Sequence, residues 1–152
     1  MTENLIVYEQ SPFFLDFASK QLDVPFDPST ARTISHVLLK DGKYEILAVV
    51  VYTGWLPNSV ELSIASSKGR WATRRFIRAV YEYAFTHANK DRIHMVVEPS
   101  NVESVEMHIR LGHKYEGCLD DWFGEDRPVF IYGLTRRNYQ KGKWSLNKEN
   151  KK

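Results

Sequence analysis

Two spacings of apolar residues alternate along this chain: a period near two in short runs and a period between three and four in longer ones. These are the periods of strands and helices that pack on one another. Residues 5–8, Leu-Ile-Val-Tyr, predict an opening strand. Ser11 and Pro12 have the chemistry of a helix cap and a first helical residue, and Phe13, Phe14, Phe17, Ala18 and Leu22 follow at helical spacing. Pro25 and Pro28 break what comes next into a loop or a short helical turn. Residues 34–40 and 44–52 flank Asp41-Gly42, a dipeptide that supplies the positive backbone angles of a tight hairpin turn. The run Ile-Leu-Ala-Val-Val-Val from Ile46 lacks alternation, as expected of a strand covered on both faces. Residues 60–64 alternate cleanly, with Val60, Leu62 and Ile64 on one face and Glu61 and Ser63 on the other.

The longest helical pattern runs from Trp71 to about Ala88 and carries Phe76, Val80, Tyr83 and Ala84. Residues 93–97 predict a strand that Pro99 stops. Asn101 can cap a further helix bearing Val105, Met107 or His108, and Leu111, which Gly112 terminates. Residues 115–119 and 129–134 predict two final strands around a loop carrying Asp120, Asp121, Glu125 and Asp126. No segment repeats and no break in composition divides the chain. The expectation is one α/β domain over residues 1–140 and a basic tail, disordered in solution, over 141–152.

Charge changes this picture little. The net charge of +2 would suit a nucleic acid, but residues 141–152 hold five lysines against Glu149 and contribute +4, which leaves −2 for the rest. Cys118 is the only cysteine, so no internal disulfide forms and a reducing compartment is expected. The first ten residues carry acids where a secretory signal needs basic residues, and the longest apolar run is far too short to span a bilayer. A cytoplasmic protein that engages neither membrane nor nucleic acid is the resulting expectation.

One charge pattern stands out. A helix N-terminus presents unpaired amide protons and a partial positive charge, so basic side chains are unfavourable there unless an anion is bound. Arg70, Arg74, Arg75 and Arg78 nevertheless crowd the start of the long helix, with no acid in its first turns. This reads as a polyanion site; a solvated basic face is the alternative.

Two segments add a specific likeness. Residues 101–119, NVESVEMHIRLGHKYEGCL, and residues 61–85, ELSIASSKGRWATRRFIRAVYEYAF, resemble the GNAT superfamily of acyl-CoA-dependent N-acetyltransferases. The resemblance spans residues 44–137. Within the superfamily it is closest to the ribosomal-protein N-terminal acetyltransferase branch and its short phage and bacterial relatives. It implies a mixed central sheet of about seven strands flanked by helices. It also implies acetyl-CoA as co-substrate and an amine acceptor, whether a protein N-terminus, a lysine or a small amine.

By the same resemblance, coenzyme A is held by Ile64, Ala65 and Ser66, by the loop Lys68, Gly69, Arg70, Trp71, Ala72 and Thr73, and by Arg74, Asn101 and Ser104. Arg70 stands where the family's phosphate loop commonly has a second glycine. Glu61 falls where relatives place a carboxylate base, and His108 where many carry a tyrosine proton donor; a surface residue and a structural histidine are the plainer readings of the two. His36, His87, His94 and His113 read as structural or surface groups. The acidic loop would lie beside the acceptor entrance. A catalytically silent GNAT-fold interaction or assembly protein, encoded by a phage, is the alternative to an enzyme.

Overall fold

The computed structural model describes residues 1–67 and 69–145. Seven strands form one sheet: β1 (Thr2–Val7), β2 (Arg32–Lys40), β3 (Lys43–Thr53), β4 (Ser59–Ser66), β5 (Arg92–Val97), β6 (Lys114–Leu119) and β7 (Val129–Thr135). Their order is β1-β2-β3-β4-β5-β7-β6. Every neighbouring pair is antiparallel except β4 and β5, which run parallel. Four α-helices accompany them: α1 (Pro12–Leu22), α2 (Arg74–Glu82), α3 (Val102–Arg110) and α4 (Arg136–Lys141).

The expected α/β architecture of about seven strands with flanking helices is therefore present. Alternation along β4 explains how its two faces are covered. Val60 and Leu62 join Phe76, Ile77, Val80 and Tyr81 of α2 in the larger core, where Val105 and Met107 of α3 and Leu111 also pack. Ala65, on the opposite face, joins Ala18 of α1, Ala31, Val49 and Val51 in a smaller core. Burial of this kind contributes roughly 25 cal/mol for each Å² of apolar surface removed from water.

The Asp41-Gly42 turn forms as its chemistry demands: both residues have positive φ, and Lys40 pairs with Lys43 across it. Ser11 caps α1 by accepting from the Phe13 N–H at 3.2 Å.

The strands begin or end within one to three residues of the sequence reading, and three larger differences concern the helices and the C-terminal segment. The long helix starts at Arg74 rather than Trp71, because the Thr73 hydroxyl accepts the Phe76 N–H at 3.2 Å and so makes Thr73 the N-cap. This helix passes into a π-helical turn at Tyr83–His87, closed by the Ala88 N–H on the Tyr83 carbonyl. Finally, Thr135 caps the unexpected α4, and the packed part of the chain continues past residue 140. Trp144 donates its indole N–H to the Leu111 carbonyl at 3.3 Å, its ring is flanked by Arg74 and Lys143, and Ser145 is buried. The rest of the expected tail, residues 146–152, lies outside the described residues.

Candidate functional site

β4 and β5 share only three rungs: Ser59 with Arg92, Val60 with Ile93, and Glu61 with His94. Beyond them β4 remains paired with β3 as far as Ser66, while β5 remains paired with β7 as far as Val97. Each strand follows its own antiparallel ladder, so the two halves of the sheet part. A cleft of about 680 Å³ occupies the opening between residues 62–64 of β4 and 95–97 of β5. No strand pairs with the facing main-chain edges of those two segments among the described residues. Sequestered N–H and C=O groups demand partners, and an extended ligand carrying amides can supply them by lying along the strand.

The cleft passes through the sheet. Glu61 and Ser63 line it from the α1 face, and Asn101, Ser104, Met107 and His108 of the α3 segment line it from the α2 face. Glu61 sits on the last shared rung, where its Oε1 lies 3.5 Å from Nε2 of His94. Asn101 caps α3 through its Oδ1, which accepts the Ser104 N–H at 3.2 Å. That cap holds both residues against the cleft wall.

His108 is buried, 3% exposed, and stacks on Tyr132 with ring centroids 5.3 Å apart. Its Nδ1 lies 2.9 Å from Nδ1 of His113, whose Nε2 lies 2.7 Å from the Tyr81 hydroxyl. Burial pushes the His108 imidazole down to about 4. Burial, with a smaller contribution from His108, pushes His113 down to about 3. Both rings are neutral at pH 7.

Three carboxylates, Asp27, Glu61 and Glu98, line the cleft, and no lysine or arginine among the described residues does. The Ser29 hydroxyl and then its main-chain N–H bond to Asp27 and hold that carboxyl below its usual range. Glu98 accepts from Arg127 at 2.8 Å. Trp122 and Phe123 complete the wall. This is a concave, negatively biased surface suited to a cationic group.

No protein-family model matches this chain, and no curated protein does. Solved structures do. The spermidine/spermine N-acetyltransferase SpeG of Vibrio cholerae, solved with manganese ions, superimposes with a TM-score of 0.67 at 17% identity, over 92% of this chain and 95% of that one. A chimera of that enzyme with hSSAT gives 0.61 at 21% identity, over 74% and 70%. A probable acetyltransferase gives 0.58 at 19%, over 80% and 68%. The chain has the GNAT fold.

Within this GNAT fold, the sequence-derived residues fall into two groups. Glu61, Ile64, Asn101, Ser104 and His108 converge on the cleft. The others that the structure describes lie along the end of β4, the approach to α2 and its first residue, outside the cleft lining. Ala65 is buried in the smaller core, and the Ser66 carbonyl accepts from Gln21 at 3.3 Å. Gly69 has φ +153, which favours glycine, whereas Arg70 has no positive φ. A second glycine is therefore not required at Arg70 by the backbone.

Trp71 packs edge-on against Phe76, and His36 donates from Nδ1 to the Trp71 carbonyl at 2.7 Å, which ties the loop to β2. Ala72 is exposed, Thr73 is the cap, and Arg74 opens α2 beside Arg75. Lys68 lies outside the described residues.

The acidic loop reaches the cleft, but with its aromatic residues: Trp122 and Phe123 line the wall, while Asp120, Asp121, Glu125 and Asp126 do not. Asp121 instead accepts the Asp126 N–H at 2.9 Å within the loop. Asp27 and Glu98, the two carboxylates that accompany Glu61, sit in irregular segments where spacing carries no information. His94 shares the Glu61 face by alternation, but their contact depends on a strand register that the sequence does not display. Among the described residues no cluster of His, Cys, Asp and Glu could hold a metal ion. No helix among the described residues is long and apolar enough to cross a membrane.

Proposed function

We propose that the protein is an N-acetyltransferase that moves an acetyl group from acetyl-CoA to a small cationic amine. The observation that carries this reading is the cleft itself, a through-sheet opening at the β4–β5 divergence with three carboxylates and, among the described residues, no lysine or arginine on its walls.

The residues fit both substrates. The open edge of β4 at residues 62–66 suits the amide-bearing arm of the co-substrate, with Asn101 and Ser104 facing it across the cleft. At the far end of β4, the N-terminus of α2 with Arg70, Arg74 and Arg75 suits its phosphates. On the acceptor side, Asp27, Glu61 and Glu98 attract a cation, and Trp122 and Phe123 offer aromatic faces to it. The names of the superimposed Vibrio cholerae enzymes, which act on spermidine and spermine, agree with a polyamine-like acceptor rather than a protein N-terminus.

The chemistry follows from charge. An ammonium cannot attack, so Glu61 takes a proton from the amine and passes it to solvent. The freed nitrogen pair adds to the thioester carbon, the C–S bond breaks with its electron pair leaving on sulfur, and the extra proton of the now cationic nitrogen passes through water to that thiolate. His108 faces the same cleft as a neutral imidazole and offers an N–H to the developing negative charge.

An acceptor panel tests the reading. With acetyl-CoA supplied, spermidine should be acetylated in preference to a peptide with a free N-terminus and to a lysine peptide. Preference for either peptide would overturn the acceptor assignment. Binding of acetyl-CoA with no transfer to any amine would favour the silent, assembly-protein reading.

A further inference from the structure

Three aromatic side chains from separate parts of the chain form a buried line that ends at the cleft. Tyr81 of α2 is 2% exposed and its hydroxyl lies 2.7 Å from Nε2 of His113. Nδ1 of His113 lies 2.9 Å from Nδ1 of His108, and His108 lines the cleft. Two Nδ1 atoms at that distance share one hydrogen: two would clash, and none would set lone pair against lone pair.

This leaves two arrangements. In the first, His108 donates from Nδ1 to His113, and His113 donates from Nε2 to the Tyr81 oxygen. The Tyr81 hydroxyl hydrogen then needs another acceptor, and among the described residues the hydroxyl has no other hydrogen bond. A buried donor would be left unsatisfied, which is costly. In the second, Tyr81 donates to Nε2 of His113, His113 donates from Nδ1 to Nδ1 of His108, and the remaining hydrogen of His108 sits on Nε2. Tyr81 and His113 then each donate to an acceptor, and the one hydrogen left over, on Nε2 of His108, belongs to a side chain that lines the cleft, where water or a ligand can accept it.

We propose that Tyr81 and His113 are positioning residues that lock His108 as its Nε2–H tautomer, so that the ring presents a neutral N–H donor to the cleft. Nε2 makes no hydrogen bond to any described residue, which leaves it available to a ligand. Stacking on Tyr132 at an interplanar angle of 13° fixes the plane of the ring.

The line does not pass a proton along. That would leave a phenolate on Tyr81, and burial raises that hydroxyl's pKa far above its usual value. His108 therefore stabilises charge by hydrogen bonding. For its catalytic consequence this inference rests on the acetyl-transfer reading; the tautomer itself does not.

Long-range ¹⁵N–¹H spectra of the labelled full chain between pH 6 and 8 test the tautomer without any turnover. The expected result is His108 protonated on Nε2 alone and His113 on Nδ1 alone, unchanged across that range. His108 protonated on Nδ1, on both nitrogens, or as a mixture overturns the proposal, whether or not the protein acetylates anything. In Tyr81→Phe the hydroxyl that sets the direction is gone, and His108 should become a mixture of tautomers. Its kcat should fall about tenfold with KM for acetyl-CoA unchanged. A Tyr81→Phe variant that keeps both the single tautomer and the wild-type kcat contradicts the assignment of Tyr81. If that variant fails to fold, the wild-type spectrum alone decides.

Discussion

Glu61 and His94 form the last rung between β4 and β5, with their side chains 3.5 Å apart, and beyond that rung the strands separate. The carboxylate thus stands where the cleft begins, held by the sheet rather than by a loop. If it takes the acceptor's proton, Glu61→Gln should lower kcat/KM by about 10²–10⁴-fold at pH 7. The deficit should shrink as pH rises toward the pKa of the amine, where the acceptor is already neutral. A pH–rate profile of the variant parallel to wild type would remove Glu61 from this role.

Arg70 is exposed at the approach to α2, where it can reach an anion without distorting the main chain. Arg70→Glu should weaken coenzyme A binding by about tenfold, the equivalent of roughly 1.4 kcal/mol, with a smaller effect at high salt. Calorimetry at two ionic strengths measures both. An unchanged affinity would place the phosphates elsewhere.

The buried histidine pair makes stability depend on acid. Both folded-state values are depressed below the unfolded one, so the stabilisation they allow is complete above about pH 6.5 and is lost as pH falls toward 4. In that window each contributes a slope of up to about 1.4 kcal/mol per pH unit. Urea unfolding at pH 7 and pH 4.5 should show a smaller loss in the double variant His108→Tyr, His113→Phe. An equal loss would show that other groups govern the acid limb.

Gly133 lies beneath a charged pair. A Cβ there would meet the Arg92–Glu116 ion pair, which crosses directly over the glycine. These are the far ends of two flexible, partly exposed side chains, so Gly133→Ala should displace the pair at a cost below about 1 kcal/mol, read by denaturant midpoint. A cost of about 3 kcal/mol or more would mean that the two side chains have nowhere to move.

Much of this was readable in the chain. Alternation over residues 60–64 placed Glu61 and Ser63 on one face, and Asp41-Gly42 marked a true hairpin turn. Asn101 announced the helix that carries His108. The cleft was not readable from spacing, because it arises where one ladder ends after three rungs, and pairing length is a property of two strands together. The Tyr81–His113 contact joins residues 32 positions apart, so helical spacing could bury Tyr81 but could not name its partner. One aromatic residue among lysines has no period, so the sequence places Trp144 in the tail. Its site on the Leu111 carbonyl exists only once α3 has folded.

Trp144 gives a direct check on that last point. Trp144→Ala removes the indole bond and the ring between Arg74 and Lys143, and should cost about 2 kcal/mol of stability. Thermal unfolding within a degree of wild type would return residues 141–145 to the tail.

The central claim is that the cleft at the β4–β5 divergence acetylates a cationic amine. Its most direct measurement counts free thiol and acetylated amine together, with acetyl-CoA and spermidine as the substrates. The account predicts that the two products appear one for one, that their rate rises with enzyme concentration, and that Glu61→Gln suppresses both. Thiol released without acetylated amine, or both products formed at the same rate by Glu61→Gln, would contradict it.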